Sequence, residues 1–259
     1  MGKIIVAVNQ KGGVGKTTTA INLAASLAKR KKKVLLVDID PQGNATSGVG
    51  VAREEVEKSI YELLLGEAPI EECIIPNVYP GLSLLPSVLD LAAAELELAG
   101  EDKKEFILKN NLDQVRDNYD YILIDCPPAL NVLTINSMCA ADSALVPIQC
   151  EYYALEGLTQ LLRTISLVTE RMNSELKVEG ILFTMYDART NLSQEVVQNV
   201  RNNLSLPIYN TIIPRNVRLA EAPSYGQPII EYDPKSSGAE CYMRLAKEVI
   251  KANRKKLFQ

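Results

Sequence analysis

The feature that most constrains the fold is a glycine-rich loop between an apolar strand pattern and a helical pattern. The loop reads Gln10-Lys11-Gly12-Gly13-Val14-Gly15-Lys16-Thr17-Thr18, and it follows the apolar run at residues 4–8. Glycines let successive backbone N–H groups converge on phosphate oxygens, and the N-terminus of the following helix adds a positive dipole end. The pattern therefore predicts a phosphate-binding loop, in which Lys16 reaches the phosphates and the Thr17 hydroxyl ligates Mg²⁺.

The loop departs from the strict phosphate-loop pattern at its first position. That pattern requires glycine at position 10, where this chain has Gln10, and a second lysine, Lys11, follows at once. An ordinary strand-to-helix turn is the alternative interpretation. It is disfavoured because two carboxylate motifs accompany the loop.

Carboxylates follow two further strand patterns. Residues 34–37 run into Asp38-Ile39-Asp40-Pro41-Gln42-Gly43-Asn44, and the alternation of side chains along a strand predicts that Asp38 and Asp40 share one face. Residues 121–124 run into Asp125-Cys126-Pro127-Pro128, the Walker B pattern, whose carboxylate supports Mg²⁺. A helix cap or a turn is the alternative role for the first two aspartates. Near a triphosphate, however, such a group can orient the attacking water or hold the metal through water.

The composition narrows the chemistry. The 259 residues include no histidine, which excludes Ser-His-Asp and Cys-His catalysis and histidine-ligated zinc. The five cysteines form no C-x-x-C pair, as is typical of a reducing compartment. The strand pattern begins almost at the first residue, so we expect no signal peptide, and no apolar run is long enough to span a membrane.

Strand and helix patterns alternate along the whole chain. Apolar strands are predicted at residues 4–8, 34–37, 82–85, 121–124, 144–147, 178–183 and 208–213. Helices are predicted at residues 17–30, 59–65, 90–98, 103–118, 132–141, 155–172, 193–204 and 237–252. The pattern predicts an α/β fold with a doubly wound, mostly parallel sheet and helices on both faces, of the P-loop NTPase type. Residues 43–98 are least regular, and we expect them to lie over one edge of the sheet.

Charge is distributed unevenly. The net charge is −4, yet residues 189–256 hold 11 Lys and Arg against 6 Asp and Glu. A basic face that meets phosphates is therefore compatible with an acidic chain, although a solvated basic surface is the simpler interpretation.

The motifs together resemble the deviant Walker A ATPases, and within them the ParA/Soj chromosome- and plasmid-partitioning ATPases. The resemblance runs from residue 3 to about residue 250. It is carried by residues 11–18, 38–44 and 125–128, and also by the stretches at 184–191 and 213–224. Because the loop begins at residue 10, the chain resembles the short form, without an N-terminal helix-turn-helix domain. We expect residues 1–259 to form a single ATPase domain.

The resemblance implies roles for individual residues. Lys11 would cross to the partner's ATP in a sandwich dimer, Asp40 would position the hydrolytic water, and Lys16 completes the catalytic set. Thr17 and Asp125 would serve Mg²⁺, with Asp125 acting through water. Arg189 and Arg218 match positions used for non-specific DNA binding, with surface salt bridges as the alternative. The residues expected to bind ATP are Lys11, Gly12, Gly13, Val14, Gly15, Lys16, Thr17, Thr18, Pro214 and Asn216.

The function implied is a switch ATPase. ATP and Mg²⁺ would assemble a homodimer that binds double-stranded DNA, and a ParB-like centromere-binding partner would stimulate hydrolysis. The protein would be cytoplasmic and associated with the nucleoid, without a membrane partner. The nearest alternative is a MinD-like membrane-binding ATPase, which would use the basic and apolar tail at residues 247–259. A cobyrinate- or dethiobiotin-type ligase, or an iron–sulfur reductase, is a more distant alternative.

Overall fold

Seven strands form one sheet in the computed structural model, which describes residues 1–151 and 154–254. Their spatial order is β3-β4-β2-β5-β1-β6-β7, and every neighbouring pair is parallel except β3 with β4. The predicted doubly wound, mostly parallel sheet is confirmed. The strands are β1 Lys3–Ala7, β2 Val34–Asp38, β3 Ile75–Tyr79, β4 Leu82–Leu85, β5 Tyr121–Asp125, β6 Ser143–Gln149 and β7 Lys177–Thr184.

Helices connect the strands and cover both faces of the sheet. They are α1 Lys16–Lys29, α2 Asn44–Gly48, α3 Ile60–Leu64, α4 Ile70–Cys73, α5 Ala94–Glu97, α6 Ile107–Val115, α7 Val132–Ala140, α8 Ala154–Arg171, α9 Asn191–Asn203, α10 Val217–Glu221, α11 Ile229–Tyr232 and α12 Ser237–Arg254. Because crossovers between parallel strands are right-handed, a chain that moves across the sheet in both directions places helices on both of its faces.

Two hydrophobic cores lie on opposite faces of the sheet. In β1, Ile4 and Val6 belong to the core that includes buried residues of α3, α6, α7, α8 and α9. Ile5 and Ala7 belong to the core formed with α1 and α12. Successive side chains of a strand point to opposite faces, so a strand covered on both sides must be apolar throughout.

The predicted strand at residues 208–213 is wrong. Only Ile208 forms an isolated bridge, to Ile181 of β7. The backbone N–H groups of Asn210 and Thr211 donate instead to the carboxylate of Glu248 on α12, each at 2.9 Å. Tyr209 and Ile213 still donate to Ile181 and Phe183 of β7, but Glu248 takes the backbone donors between them, so no regular ladder forms.

The irregular segment at residues 43–98 lies at the edge of the sheet that β3 and β4 form, as expected, and it supplies the antiparallel strand β3, which the sequence pattern did not predict. Pro76 and the left-handed Asn77 (φ 54°) interrupt its pattern. The helix predicted at residues 90–98 is broken into the 3-10 turn Leu89–Ala93, the short α5 and the 3-10 turn Leu98–Gly100. The one predicted at residues 103–118 is regular only in α6, since Lys103 is left-handed (φ 57°).

Candidate phosphate-binding site

The glycine-rich loop joins β1 to α1 and leaves the helix N-terminus open. Gly13 and Gly15 have φ angles of 72° and 86°, in the left-handed region that favours glycine. Gly15 is the N-cap of α1, and no side chain caps the first turn. The free N–H groups of that turn, together with the helix dipole, form an anion-binding site at this end of α1.

Two lysines flank the loop in different environments. The side chain of Lys16 is buried, with the residue only 7% exposed, and its Nζ lies 3.4 Å from the carbonyl oxygen of Lys11. That distance is long for a hydrogen bond, so the ammonium remains available to a phosphate. Lys11 is exposed, and its Nζ donates to Glu151 Oε2 at 2.5 Å.

Two residues to which the sequence patterns assigned no role anchor the loop to the sheet. Thr184 Oγ1, at the end of β7, lies 2.8 Å from the carbonyl oxygen of Val14 and 3.0 Å from that of Ile148. Asn9 accepts from the Lys11 N–H at 2.9 Å and donates to the Pro147 carbonyl at 2.7 Å. Both are polar residues at the carboxyl end of a strand, which is the signal that could have identified them.

The carboxylates of Asp38 and Asp40 have different hydrogen-bond partners and different positions relative to the turn after β2. Asp38 is fully buried, and its Oδ2 accepts from the N–H and the hydroxyl of Thr46 at 2.7 and 2.8 Å. Thr46 Oγ1 in turn accepts from the Ser87 N–H, and the Ser87 hydroxyl donates to the Asp40 carbonyl at 2.7 Å. Asp38 therefore anchors the turn that carries Asp40.

Asp40 itself lies in the turn after β2. Its Oδ1 accepts from the Gln42 N–H at 3.0 Å, and no donor among the described residues reaches Oδ2. The residue is 9% exposed. A carboxylate held by one oxygen, with the other open, is suited to accept a hydrogen bond from a water molecule.

Asp125 ends β5 in register with Asp38 of β2 and Ala7 of β1. Both of its carboxylate oxygens are buried, and neither has a hydrogen-bond partner within the part of the chain that the structure describes. Burial first, and then the charge of Asp38, raise the pKa of Asp125 well above its usual range, while the nearby Thr17 hydroxyl and Lys16 only partly offset that rise. An orphaned buried carboxyl beside a threonine hydroxyl fits a hydrated Mg²⁺, which would supply the missing partner.

The two buried aspartates predict a pH-dependent stability for the nucleotide-free, Mg²⁺-free protein. Burial raises the pKa of Asp38 to about 6, so the folded state retains protons that the unfolded chain releases near pH 4. The shift of Asp38 alone should lower the free energy of unfolding by about 2–3 kcal/mol between pH 4 and pH 7, and Asp125 should add to that decline. Urea unfolding across this range would measure the slope.

The variant Asp125→Asn tests whether the buried aspartates cause this decline of the free energy of unfolding with pH. The amide cannot ionise, so the variant should show a shallower decline and greater stability than the wild type at pH 7. Asp102→Asn, at an exposed carboxyl, should leave the slope unchanged. A slope that is identical in all three proteins would contradict the assignment.

A cavity of about 380 Å³ opens beside the loop. Its lining is largely apolar and includes Thr18, Met185, Pro214, Asn216 and Leu219. The side-chain amide of Asn216 already has partners within the chain. Its Oδ1 caps α10 by accepting hydrogen bonds from the N–H groups of Arg218 and Leu219, and its Nδ2 donates to the Ser237 hydroxyl. It is therefore not free to hydrogen-bond to a ligand. Such a cavity suits a flat, apolar ring system bound by shape.

Arg189 and Arg218 lie outside this cavity and form ion pairs on the surface. Arg189, whose side chain is 86% exposed, donates from its Nη2 to Asp187 Oδ2 at 2.7 Å, and this contact lowers the pKa of Asp187 well below its usual range. Arg218 pairs with Glu221 at 2.9 Å and with Asp233 at 3.6 Å. Both arginines retain exposed donors.

Comparison with known proteins identifies the family. Residues 2–178 match the family described as an AAA domain. The chain is 55% identical over 249 residues to the sporulation initiation inhibitor protein Soj of Bacillus subtilis, covering 96% of this chain and 98% of that protein. The chain belongs to the ParA/Soj family of partitioning ATPases. Its identity to the chromosome partitioning protein ParA of Myxococcus xanthus is 53% over 251 residues, covering 97% and 89% of the two chains.

Solved structures agree with the ParA/Soj assignment at the level of the fold. A structure from Mycobacterium smegmatis, described as cobyrinic acid a,c-diamide synthase with a bound ATP analogue and magnesium, superposes with a TM-score of 0.87 at 37% identity, covering 98% of this chain and 96% of that one. None of the helices in the described part of this chain combines the length and apolar composition needed to cross a bilayer.

Proposed function

We propose that this member of the ParA/Soj family is an ATP-dependent dimerising switch that binds DNA without sequence preference and partitions chromosomal or plasmid DNA. The observation that carries the proposal is the site itself: an uncapped helix N-terminus, a buried Lys16 and the carboxylates Asp40 and Asp125 meet at one edge of the sheet. We further propose that the whole chain acts as one ATPase unit.

The arrangement supports ATP and Mg²⁺ as the ligands. The loop and Lys16 would hold the phosphates, and the cavity at Pro214 and Asn216 would hold the adenine. Thr17 and Asp125 would support Mg²⁺, which neutralises charge on the phosphates when bound. Asp40 would position the attacking water through its open oxygen. The related Mycobacterium structure described with an ATP analogue and magnesium is in line with this assignment.

Lys11 would act on the second subunit's nucleotide. Its side chain is exposed at the start of the loop and is held by Glu151, not by the phosphate site of its own chain. An exposed cation beside a nucleotide site can reach a γ-phosphate supplied by a partner, as an arginine finger does.

Gly12→Val is expected to abolish ATP-dependent dimerisation while leaving the monomer folded. A Cβ at Gly12 would meet no atom of the described residues within 4 Å, and Gly12 does not have positive φ, so we expect the clash to arise with a partner's loop. Size-exclusion chromatography with a non-hydrolysable ATP analogue measures the effect. Gly100→Val also has open space and should dimerise normally. If Gly12→Val dimerises normally, the loop does not lie at the dimer interface.

Arg189→Glu is expected to reduce ATP-dependent retention on DNA by about tenfold or more, because a dimer loses two phosphate contacts and gains two repulsive charges. DNA co-sedimentation with a non-hydrolysable analogue measures retention. If a dimer uses about four arginine contacts, log K against log [salt] should slope by roughly −3 to −4. Lys33→Glu, at an exposed lysine, is the control. Unchanged retention for Arg189→Glu would leave Arg189 as a surface salt bridge.

A ParB-like partner and association with the nucleoid complete the proposal. They are supported by the similarity to the chromosome partitioning protein ParA of Myxococcus xanthus. The MinD-like alternative depends on the tail, of which residues 255–259 lie outside the described residues. The described helix α12 packs its apolar side into the core, with Leu245 and Val249 fully buried, which disfavours a membrane-binding role for that helix. A ligase function is disfavoured because the chain is 53% identical to a chromosome partitioning protein and only 37% identical to the structure described as a synthase.

A further inference from the structure

The negative charge of this chain is concentrated in one segment. Residues 53–105, here called the acidic segment, hold 13 Asp and Glu against 4 Lys and Arg. Its net charge of −9 exceeds the −4 of the whole chain, so the remainder is net positive. Within the segment, the described side chains form one ion pair, Lys58 with Glu72. Most of its charge is therefore not neutralised by neighbouring cations.

A groove of about 550 Å³ opens in this segment, where α3 and the loop after it face α6. Its lining includes the buried Leu63, Leu64 and Leu98 and the half-buried Leu65 and Ile107, together with the polar side chains of Asn111 and Gln114. None of its lining residues belongs to the phosphate-binding loop or to the carboxylate motifs, so it is separate from the nucleotide site.

The rim of the groove is acidic. Glu97 and Glu101 line it, both are exposed, and no cation lies in salt-bridge contact with either among the described residues. Glu97 accepts one hydrogen bond, from the Tyr61 hydroxyl at 3.2 Å. Beside them, Leu96 is 82% exposed, which is unusual for a leucine. A partly apolar lining with an unneutralised acidic rim complements a ligand that carries both apolar and cationic groups.

We propose that this groove docks a basic, leucine-bearing peptide segment of a separate protein partner. Apolar side chains would enter the groove and lysines or arginines would pair with Glu97 and Glu101. The negative field disfavours nucleic acid and anionic lipid at this face. A second copy docked groove to groove would bring like charges together, which disfavours self-association through it.

A synthetic probe tests the proposal on the full chain without nucleotide, so failure of ATP binding cannot affect the result. The probe is a fluorescein-labelled 12-residue amphipathic peptide of lysine and leucine, and its binding is measured by fluorescence anisotropy. We expect saturable binding that weakens with salt. Replacing the leucines of the probe by serine should also weaken binding, since charge attraction alone does not require the groove.

Two charge-reversal variants locate the site. Glu97→Lys with Glu101→Lys should weaken probe binding by about tenfold, because two attractive pairs become repulsive. Glu54→Lys with Glu55→Lys makes the same change in net charge at exposed positions outside the groove, and should change binding by less than about twofold. Matched thermal unfolding of the two variants would show that both are folded.

Three outcomes would overturn the proposal. Equal weakening by both double variants would mean that the probe responds only to net charge. If the probe binds equally well when its leucines are replaced by serine, the groove is not its binding site. Binding that arises only in a chain ending at Arg254 would identify the chain's own residues 255–259, Lys-Lys-Leu-Phe-Gln, as the occupant in place of a partner.

Discussion

Lys16→Ala is expected to weaken ATP binding by at least about 100-fold, roughly 3 kcal/mol, because the phosphates lose a charge-assisted donor in a buried site. The Lys16 ammonium is enclosed by the loop, and its nearest described partner is a carbonyl at 3.4 Å, so the phosphate is its main prospective partner. Isothermal titration calorimetry with ATP and Mg²⁺ measures the loss.

The variant Lys16→Ala needs a control in which a lysine outside the loop is replaced by alanine. Lys33→Ala removes an exposed lysine just before β2 and should bind ATP as the wild type does. Alanine favours helix, so α1 should begin normally in Lys16→Ala and the unfolding temperature should change little. Retention of ATP affinity within about threefold in Lys16→Ala would refute the role of this residue and, with it, the nucleotide site.

Asp40→Ala is expected to slow ATP hydrolysis by about 100-fold or more, the range for loss of a group that orients or activates water. ATP affinity should be retained, because Lys16 and the α1 N-terminus are untouched. If dimers bind DNA only with ATP, the variant should remain on DNA after wild-type protein has been released. Phosphate release and DNA dissociation, measured on the same sample, test both effects.

Ser87→Ala separates catalysis from loop order in that experiment. Ser87 donates to the Asp40 carbonyl, so this change loosens the turn while keeping the carboxylate. We expect a loss of hydrolysis much smaller than that of Asp40→Ala. Equal losses would mean that Asp40 contributes through the shape of the turn, and rapid release of Asp40→Ala from DNA would contradict its role in hydrolysis.

Much of the site was predictable because its central part is local in sequence. The loop from Lys11 to Thr18 is contiguous, and backbone conformation alone turns it into an anion site once β1 and α1 form. The strands were predictable for a similar reason: apolar runs buried on both faces leave little ambiguity. The exceptions were β3, interrupted by Pro76 and Asn77, and residues 208–213, where Glu248 on α12 takes the backbone donors.

Residue roles that depend on distant partners were not predictable. The pattern at Asp38 and Asp40 suggested one shared face, whereas the tertiary contacts with Thr46 and Ser87 make Asp38 an anchor for the turn that carries Asp40. Similarly, Asn216 is expected near adenine from the resemblance, and the structure commits its amide to capping α10. The hydrogen-bond partners of a buried polar side chain are the groups that lie near it in the folded structure, and a single sequence does not show which groups those are.

The α/β fold class and the glycine-rich loop were predictable from the amino-acid sequence, since both follow from local patterns of apolar residues and glycines. The pairing of β2 with β5 places Asp125 beside Asp38, where burial raises the pKa of both carboxyls and the charge of Asp38 raises that of Asp125 further. Only the tertiary structure made that pairing and placed Glu97 and Glu101 at the rim of one groove with α3 and α6. Burial, charge coupling and surface shape depend on segments far apart in the chain, so they exist only once the chain has folded.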